Sequence, residues 1–143
     1  MNATAHPQSI TLDKTRLLKQ LGDLPVLAKD HGWQFDYDQK LDSLTYGEET
    51  MPRDAFLFNV NDEINLFVDA DSRVHGLFVE YFGSNYVEHN ESVKDAFSVV
   101  EDSLTDSIAD SVKVKLARVV IESDLIRGAL ASLLARGTLV TAV

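Results

Sequence analysis

The chain of 143 residues contains no cysteine, only three prolines and no long uninterrupted apolar run. The lack of cysteine excludes a disulfide framework, a thiolate zinc site and a cysteine nucleophile. A membrane-spanning helix needs about 20 predominantly apolar residues, whereas the most apolar stretch is interrupted by Glu122, Asp124, Arg127 and Arg136. The first twelve residues have neither a basic nor an apolar region, so no secretory signal is expected. We therefore expect a soluble, cytoplasmic protein with no membrane insertion.

Basic residues are also scarce. The 13 Lys and Arg stand against 23 Asp and Glu, which gives a formal charge of −10 and a pI near 4.6. This charge disfavours direct binding to nucleic acid or to anionic membranes, because both need Lys or Arg to contact phosphates. The hydrophobic fraction of 45% is too high for a disordered acidic chain, so we expect one domain with a packed core.

The spacing of apolar residues predicts an α+β fold in one domain over residues 11–143, after a flexible tail over residues 1–10. Residues 11–32 have helical spacing and end at Gly32. Residues 33–83 have a period of two, with five short runs separated by turn residues, which predicts an antiparallel β-meander of about five strands. Residues 91–137 are again helical, with a bend at 103–105. The β-branched tail 138–143 is expected to form a strand or to pack in an interface.

The later predicted strands are apolar on both faces. Strict alternation places Val74 and Phe78 on one face and Leu77 and Val79 on the other. A sheet with one face in water alternates more cleanly, so we expect both faces to be covered, by helices or by a second subunit. Together with the apolar segment 125–143, this excess predicts a homo-oligomer, most simply a dimer.

Acidic residues are concentrated in the predicted sheet. Between residues 36 and 71, ten acidic residues face only Lys40 and Arg53, which gives this stretch a charge of −8. Turn geometry explains several of them, because Asp accepts hydrogen bonds from nearby backbone N–H groups. The alternative is an acidic surface for a basic partner or a cation. Its candidate members are Asp36, Asp38, Asp42, Asp69 and Asp71.

A second candidate surface lies near the C-terminal helices. Residues 80–90 mix aromatic, amide and acidic side chains, and Tyr is favoured at interfaces because it joins a large contact area to a polar group. The alternative is a strand end with half-buried aromatics, followed by Asn90 as a helix cap. The candidate residues of a protein interface are Tyr81, Phe82, Asn85, Tyr86, His89, Leu130, Leu133 and Leu134.

Motifs of catalysis and metal binding are missing. Residues 69–80 have part of the EF-hand spacing, but Arg73 and Val74 stand where a ligand and a glycine are required, so a hairpin turn is expected. The histidines show no HExxH spacing, and no GxSxG or phosphate-binding glycine loop is present. We therefore predict no catalytic residue, metal ligand or cofactor, and a protein that is not an enzyme. A small metal-dependent hydrolase built around His89 or the acids of residues 36–42 is the remaining enzymatic alternative.

Two segments carry a resemblance to a known family. FDYDQKLDSLTYG at residues 35–47 and INLFVDADSRVHGLFVEYF at residues 64–82 resemble a family of small bacterial proteins known as domain of unknown function 2283. That family has a YDxxxDxLY-like hairpin and a later strand pair, in which an Asp-containing turn leads into a V-x-G-hydrophobic-E run. The matching positions are Tyr37, Asp38, Asp42, Leu44, Tyr46, Asp69, Asp71, Val74, Gly76 and Glu80. The resemblance implies a small antiparallel sheet and no particular chemistry.

The size, acidity and order of elements are also similar to those of type III secretion chaperones, which are small, acidic and often dimeric. The leading hypothesis is a non-enzymatic binding or accessory protein, chaperone- or adaptor-like, that acts through a protein interface and favours a basic partner. The main alternative is an acidic inhibitor that presents carboxylates in place of nucleic-acid phosphates.

Overall fold

The computed structural model describes residues 9–100 and 111–142, which form an α+β fold. The elements in chain order are β1 (Ser9–Leu12), α1 (Lys14–Gly22), α2 (Leu24–Asp30), β2 (Gln34–Asp38), β3 (Ser43–Gly47), β4 (Phe56–Asn59), β5 (Ile64–Val68), β6 (Val74–Glu80), α3 (Glu91–Val100), α4 (Val112–Leu134) and β7 (Leu139–Ala142). A π-helical turn (Phe82–Tyr86) and a 3₁₀ turn (Val87–His89) connect β6 to α3. Residues 1–8 of the expected tail and the expected bend at 103–105 lie outside the described residues.

The N-terminal helices begin and end at the residues that favour helix termini. The side chain of Asp13 accepts a hydrogen bond from the Arg16 N–H at the start of α1. Pro25 lies in the first turn of α2, where its missing N–H costs no hydrogen bond. Gly32, with φ of +64°, follows α2 in the left-handed conformation that glycine adopts without strain.

The two ends of the described chain pair with each other. Strand β1 runs antiparallel to β7, and the buried Leu12 lies opposite the buried Leu139. The expectation of a C-terminal strand is thereby confirmed. The expectation of a tail over residues 1–10 and a helical segment from residue 11 was wrong for residues 9–12. Their partner lies about 130 positions away in the sequence, beyond the reach of local periodicity.

The other five strands form one antiparallel sheet, as the sequence predicts, in the order β2-β3-β6-β5-β4. A simple meander would have placed β3 beside β4. Instead the β2–β3 hairpin pairs with β6, the long last strand of the β4–β5–β6 meander. This pairing brings Leu44 opposite Val79 and Tyr46 opposite Leu77, so that apolar side chains from both halves of the sheet share one core.

A β-bulge decides which residues of β6 face the core. Val68 pairs with Val74 but Phe67 pairs with Gly76, which leaves His75 as the extra residue. Val74 is therefore buried on the core side of the sheet, whereas Phe78 faces the other side. Strict alternation had placed Val74 and Phe78 on the same face and was wrong for this reason.

The helices cover one face of the sheet. Helix α4 packs there through buried residues spaced by four, which are Ala117, Ile121, Leu125, Ala129 and Leu133. Gly128 lets the helix approach β5, because a Cβ at this position would lie 3.1 Å from Cδ1 of Ile64. The Tyr46 hydroxyl adds a polar contact by donating to the Glu122 carboxylate. No helix within residues 9–100 and 111–142 has both the length and the apolar character needed to cross a membrane.

Gly47 provides a test of the β3–β6 contact. A Cβ on Gly47 would lie 2.8 Å from the Gly76 Cα and 2.8 Å from the His75 carbonyl oxygen, both of which are backbone atoms. We expect Gly47→Ala to lower the free energy of unfolding in urea by about 1–3 kcal/mol. The control Gly22→Ala, at the end of α1 with nothing within 4 Å, should be neutral or stabilising by up to about 1 kcal/mol. Equal losses in both variants would contradict the close approach.

Candidate functional site

The face of the five-stranded sheet that points away from α4 is only partly buried. We call it the open face and define it by the outward-pointing residues of β2 to β6. The strand register arranges them in three rows across the sheet. The first row is Gln34, Gly47, Gly76, Phe67 and Leu57; the second is Asp36, Thr45, Phe78, Asn65 and Asn59; the third is Asp38, Ser43 and Glu80.

The part of the open face that runs from β6 to the edge strand β4 carries its apolar residues. Leu57 is 46% exposed, and Phe67 and Phe78 are half-buried, with their ring centroids 6.2 Å apart in an edge-on arrangement. Beside them, Gly47 helps to line a shallow depression of about 430 Å³. The Met51 methyl group occupies the space that a side chain on Gly47 would need. The apolar part of the open face is therefore a wide, shallow surface rather than an enclosed pocket.

Carboxylates lie toward the β2 edge of the open face and at the ends of its strands, next to these apolar residues. Asp36 and Asp38 project from the edge strand β2, and Glu80 projects from the end of β6. Glu48 and Glu49 line the depression on the loop after β3. None of the outward-pointing strand residues of the open face is basic. The surface is therefore complementary to one that combines apolar side chains with Lys or Arg.

The side chain of His75 joins two loops at one end of the sheet. When both ring nitrogens are protonated, Nδ1 donates to Glu48 Oε2 (2.6 Å) and Nε2 donates to Asp69 Oδ2 (2.9 Å). Burial opposes the charged imidazole, but the hydrogen bonds to Asp69 and Glu48 prevail and raise the pKa of His75. Burial likewise opposes the Asp69 carboxylate, yet hydrogen bonds from His75 and two backbone N–H groups lower its pKa. The bulge residue thus links the loop after β3 to the β5–β6 turn.

Asp42 fixes the opposite end of the sheet. Its carboxylate accepts hydrogen bonds from the Gly83 N–H (2.7 Å), from the Ser84 N–H (2.9 Å) and hydroxyl (2.6 Å), and from the Tyr37 hydroxyl (2.6 Å). Burial opposes the charge, but these four donors lower the pKa of Asp42. Its φ of 52° places it in the left-handed region that Asp tolerates in turns. Asp42 therefore joins the β2–β3 turn to the segment after β6.

The five aspartates predicted as an acidic patch do not form one surface. Asp36 and Asp38 lie on the open face, where the Asp38 carboxylate also accepts hydrogen bonds from the Lys40 and Leu41 N–H groups of the β2–β3 turn. The carboxylates of Asp42 and Asp69 are engaged in hydrogen bonds that join separate segments of the chain. Asp71 is exposed in the β5–β6 turn, at the end of the sheet opposite Asp42. The prediction of a single five-residue patch was wrong, because Asp38, Asp42 and Asp69 hold hydrogen bonds in turns at different ends of the sheet.

The expected protein-interface residues also divide. Phe82, Tyr86 and Leu133 are buried in the core, so their expected surface position was wrong. Phe82 and Tyr86 are buried because they belong to the π-helical turn after β6, where their rings stack with centroids 5.6 Å apart. Leu133 belongs to the inward stripe of α4. The remaining candidates are exposed or half-buried, and they are Tyr81, Asn85, His89, Leu130 and Leu134.

A second depression, of about 400 Å³, lies between the turn before α3 and the middle of α4. Within it His89 Nε2 lies 2.9 Å from Glu63 Oε2, and the Tyr86 hydroxyl donates to Asp124 Oδ2 at 2.5 Å. Burial and the contact with Asp124 raise the pKa of Tyr86. The lining contains acid–base groups but no Ser, Thr, Cys or Lys nucleophile. Over residues 9–100 and 111–142, no three His, Cys, Asp or Glu are grouped so that they could hold a metal ion.

Comparisons of the chain with protein-family models, with curated proteins and with solved structures found no match. The resemblance of residues 35–82 to domain of unknown function 2283 therefore stays a prediction, as does the similarity to secretion chaperones. Over residues 9–100 and 111–142, the structure defines a small α+β domain whose helices pack on one face of the five-stranded sheet.

Sequence reasoning did not select Leu57, Phe67 and Phe78 as a site. The sequence signal for these residues is that the later strands are apolar on both faces. This signal predicts that both faces are covered, whereas the helices of the described residues pack on one face of the sheet. The alternative cover, a second subunit, stays a prediction.

The link through His75 predicts a dependence of stability on pH. Folding raises the pKa of His75. The stability that its charged imidazole contributes is therefore complete below the unfolded-state pKa of about 6.5 and is lost as the pH rises through the folded-state pKa. Folding lowers the pKa of Asp69. The stability that its carboxylate contributes is therefore present above the unfolded-state pKa of about 3.9 and is lost as the pH falls through the folded-state pKa. In urea unfolding, His75→Gln should therefore cost more stability at about pH 6 than at about pH 9.

The control is His31→Gln, which changes an exposed histidine at the end of α2. His31→Gln should change the free energy of unfolding little at either pH. If His75→Gln lowers the free energy of unfolding equally at both pH values, the charged link contributes no stability.

Proposed function

We propose that this chain is a non-enzymatic binding protein, whose open face docks a protein surface that combines apolar and basic side chains. The observation that carries the proposal is the apolar patch formed on the open face by the exposed Leu57 and the half-buried Phe67 and Phe78, with acidic residues of β2 and β6 on the same face. A contiguous apolar patch with a polar rim is typical of a protein-interaction surface.

The two parts of the open face contribute differently to binding. Removing Leu57 and the exposed parts of the two Phe rings from water supplies the favourable hydrophobic contribution to binding. Asp36, Asp38 and Glu80 supply selectivity, because opposite charges accelerate encounter and like charges are repelled. The cytoplasmic location expected from the sequence is part of this proposal and is supported by a chain that needs no disulfide.

Docking on the face is preferred to the addition of a strand at an edge. The edge strand β2 carries Asp36 and Asp38, and charged residues on an edge discourage pairing with another chain. At the other edge, Arg136 Nη1 donates to the carbonyl of Asn59 at the end of β4 (2.7 Å) and so occupies an acceptor that an added strand would use.

The inhibitor that imitates nucleic acid is less well supported. That hypothesis needs Asp36, Asp38, Asp42 and Asp69 to act together on a basic cleft. Of these four, Asp42 and Asp69 hold hydrogen bonds between separate segments, and Asp38 accepts hydrogen bonds from its own turn, so the four carboxylates do not form one acidic surface.

The proposal is tested with a synthetic amphipathic peptide of Lys and Leu as the probe, by calorimetry and by NMR mapping of the contacted residues. We expect the double variant Phe67→Ser, Phe78→Ser to weaken binding at least about tenfold, which corresponds to about 1.4 kcal/mol. The matched control Leu134→Ser, Val140→Ser removes exposed apolar residues away from the sheet face and should bind as the wild type does. Urea unfolding checks that each variant is folded.

The carboxylates are tested in the same assay. The set Asp36→Asn, Asp38→Asn, Glu80→Gln should weaken binding and reduce its dependence on salt, because fewer charge pairs remain to be screened. Neutralising the exposed Asp30 and Glu91, which lie outside the open face, should change neither the affinity for the peptide nor its dependence on salt. Unaltered binding by the Phe variant, or NMR shifts outside the open face, would overturn the proposal.

A further inference from the structure

A third depression lies on the open face beside the β2–β3 turn. It has a volume of about 230 Å³ and is lined by Leu41, Ser43, Phe78, Glu80 and Tyr81. We call it the Tyr81 depression. Sites for small molecules usually have volumes of about 300–1,000 Å³. The Tyr81 depression is smaller than these, so it has room for a single side chain of another protein rather than for a whole small-molecule ligand.

The apolar lining of the Tyr81 depression is largely open to water. Leu41 is 70% exposed and Tyr81 is 60% exposed, and the half-buried Phe78 lies in the same lining. Removing such side chains from water is favourable when another molecule covers them. Because Phe78 also belongs to the apolar patch that carries the proposed function, the Tyr81 depression is continuous with that patch.

The backbone at Tyr81 is what brings its ring to this surface. Alternation along β6 would place residue 81 on the face opposite Glu80. Tyr81 instead has φ of 53° and ψ of 46°, a left-handed conformation that a residue with a Cβ seldom adopts. Hydrogen bonds on both sides hold it there: its carbonyl accepts from the Asn85 N–H (2.9 Å), and the next N–H, of Phe82, donates to the Asp42 carbonyl (2.8 Å). The turn therefore places Tyr81 in the same lining as Glu80.

Glu80 supplies the charge of the Tyr81 depression. It is exposed, and over residues 9–100 and 111–142 its carboxylate makes no hydrogen bond or ion pair. Ser43, which pairs with Glu80 across β3 and β6, adds a hydroxyl group that can accept a hydrogen bond. Lys40 precedes Leu41 in the turn but is not part of the lining. The depression therefore combines an aromatic and aliphatic wall with one unpaired negative charge.

We infer that the Tyr81 depression binds an arginine side chain of the partner, so that the open face selects arginine over lysine. This inference rests on the proposed function and names the residue that the open face recognises. The planar guanidinium stacks on the Tyr81 ring and donates two parallel hydrogen bonds to the Glu80 carboxylate, while its aliphatic stem covers Leu41. A lysine ammonium is more strongly hydrated and lacks the planar fork, so it satisfies the same lining less well.

The decisive experiment compares two amphipathic peptides of equal length and charge by calorimetry. One is the peptide of Lys and Leu, and in the other every Lys is replaced by Arg. The general attraction to an acidic surface is the same for both, so a difference in affinity reports the recognition of the guanidinium. We expect the wild type to bind the Arg peptide at least about fivefold more tightly, from the stacking contact and the paired hydrogen bonds together.

Two single variants assign this preference to the Tyr81 depression. Glu80→Gln and Tyr81→Asn should each reduce the preference for the Arg peptide to about twofold or less, because each removes one of the two contacts. Asn tolerates the left-handed conformation, so Tyr81→Asn removes the ring and keeps the turn. The matched controls Asp71→Asn, at the other end of the sheet, and Leu134→Ser, on α4, should keep the full preference. Urea unfolding checks that each variant is folded.

Three outcomes overturn the inference. The first is equal affinity of the wild type for the two peptides. The second is a preference for the Arg peptide that persists in both Glu80→Gln and Tyr81→Asn. The third is an NMR map of the bound Arg peptide in which Leu41, Ser43 and Tyr81 do not shift.

The variant Phe67→Ser separates this inference from the proposed function, because Phe67 lies on the open face but outside the Tyr81 depression. It should weaken the binding of both peptides and keep the preference for arginine. If the wild type binds both peptides equally and Phe67→Ser weakens both, the open face is a binding site and arginine is not what it selects. If neither peptide binds the wild type, the proposed function fails and the inference fails with it.

Discussion

The pairing of β3 with β6 is the contact on which the rest of the structure depends. It joins the β2–β3 hairpin to the β4–β5–β6 meander and brings Leu44 and Tyr46 into one core with the later strands. Because side chains alternate along a strand, the same register that buries these residues turns Thr45 and Phe78 to the opposite face. A slip of one residue would exchange the two faces, so the core and the open face are set by a single pairing.

Two carboxylates secure that pairing at its ends, one at each end of the sheet. Asp42 binds the segment that follows β6, and Asp69 binds the bulge residue His75, which also holds Glu48 beside β3. Both carboxylates accept hydrogen bonds from groups within the domain. The acidic character of the sheet region therefore has two origins: some carboxylates hold turns, whereas Glu80 lies on the open face at the end of β6.

The exposed apolar residues of the folded molecule lie only partly where the sequence predicts them. Sequence reasoning placed an apolar surface in residues 125–143, yet Leu125, Ala129 and Leu133 of that segment are buried. Leu134 and Val140 of the same segment are exposed, and the other exposed apolar residues of α4 lie earlier, in residues 112–120. The packing of one helical stripe on the core therefore decides which apolar residues of α4 reach the surface.

The sequence by itself determined the α+β class, the helix end at Gly32, and five antiparallel strands, because these depend on neighbouring residues and on local periodicity. It did not determine the β3–β6 pairing, the β1–β7 pairing or the bulge at His75, because each depends on residues far apart in the chain. The open face follows from those distant contacts. The pattern showed that Phe67 and Phe78 were apolar, but only the packing of the helices on one side of the sheet decided that they face outward.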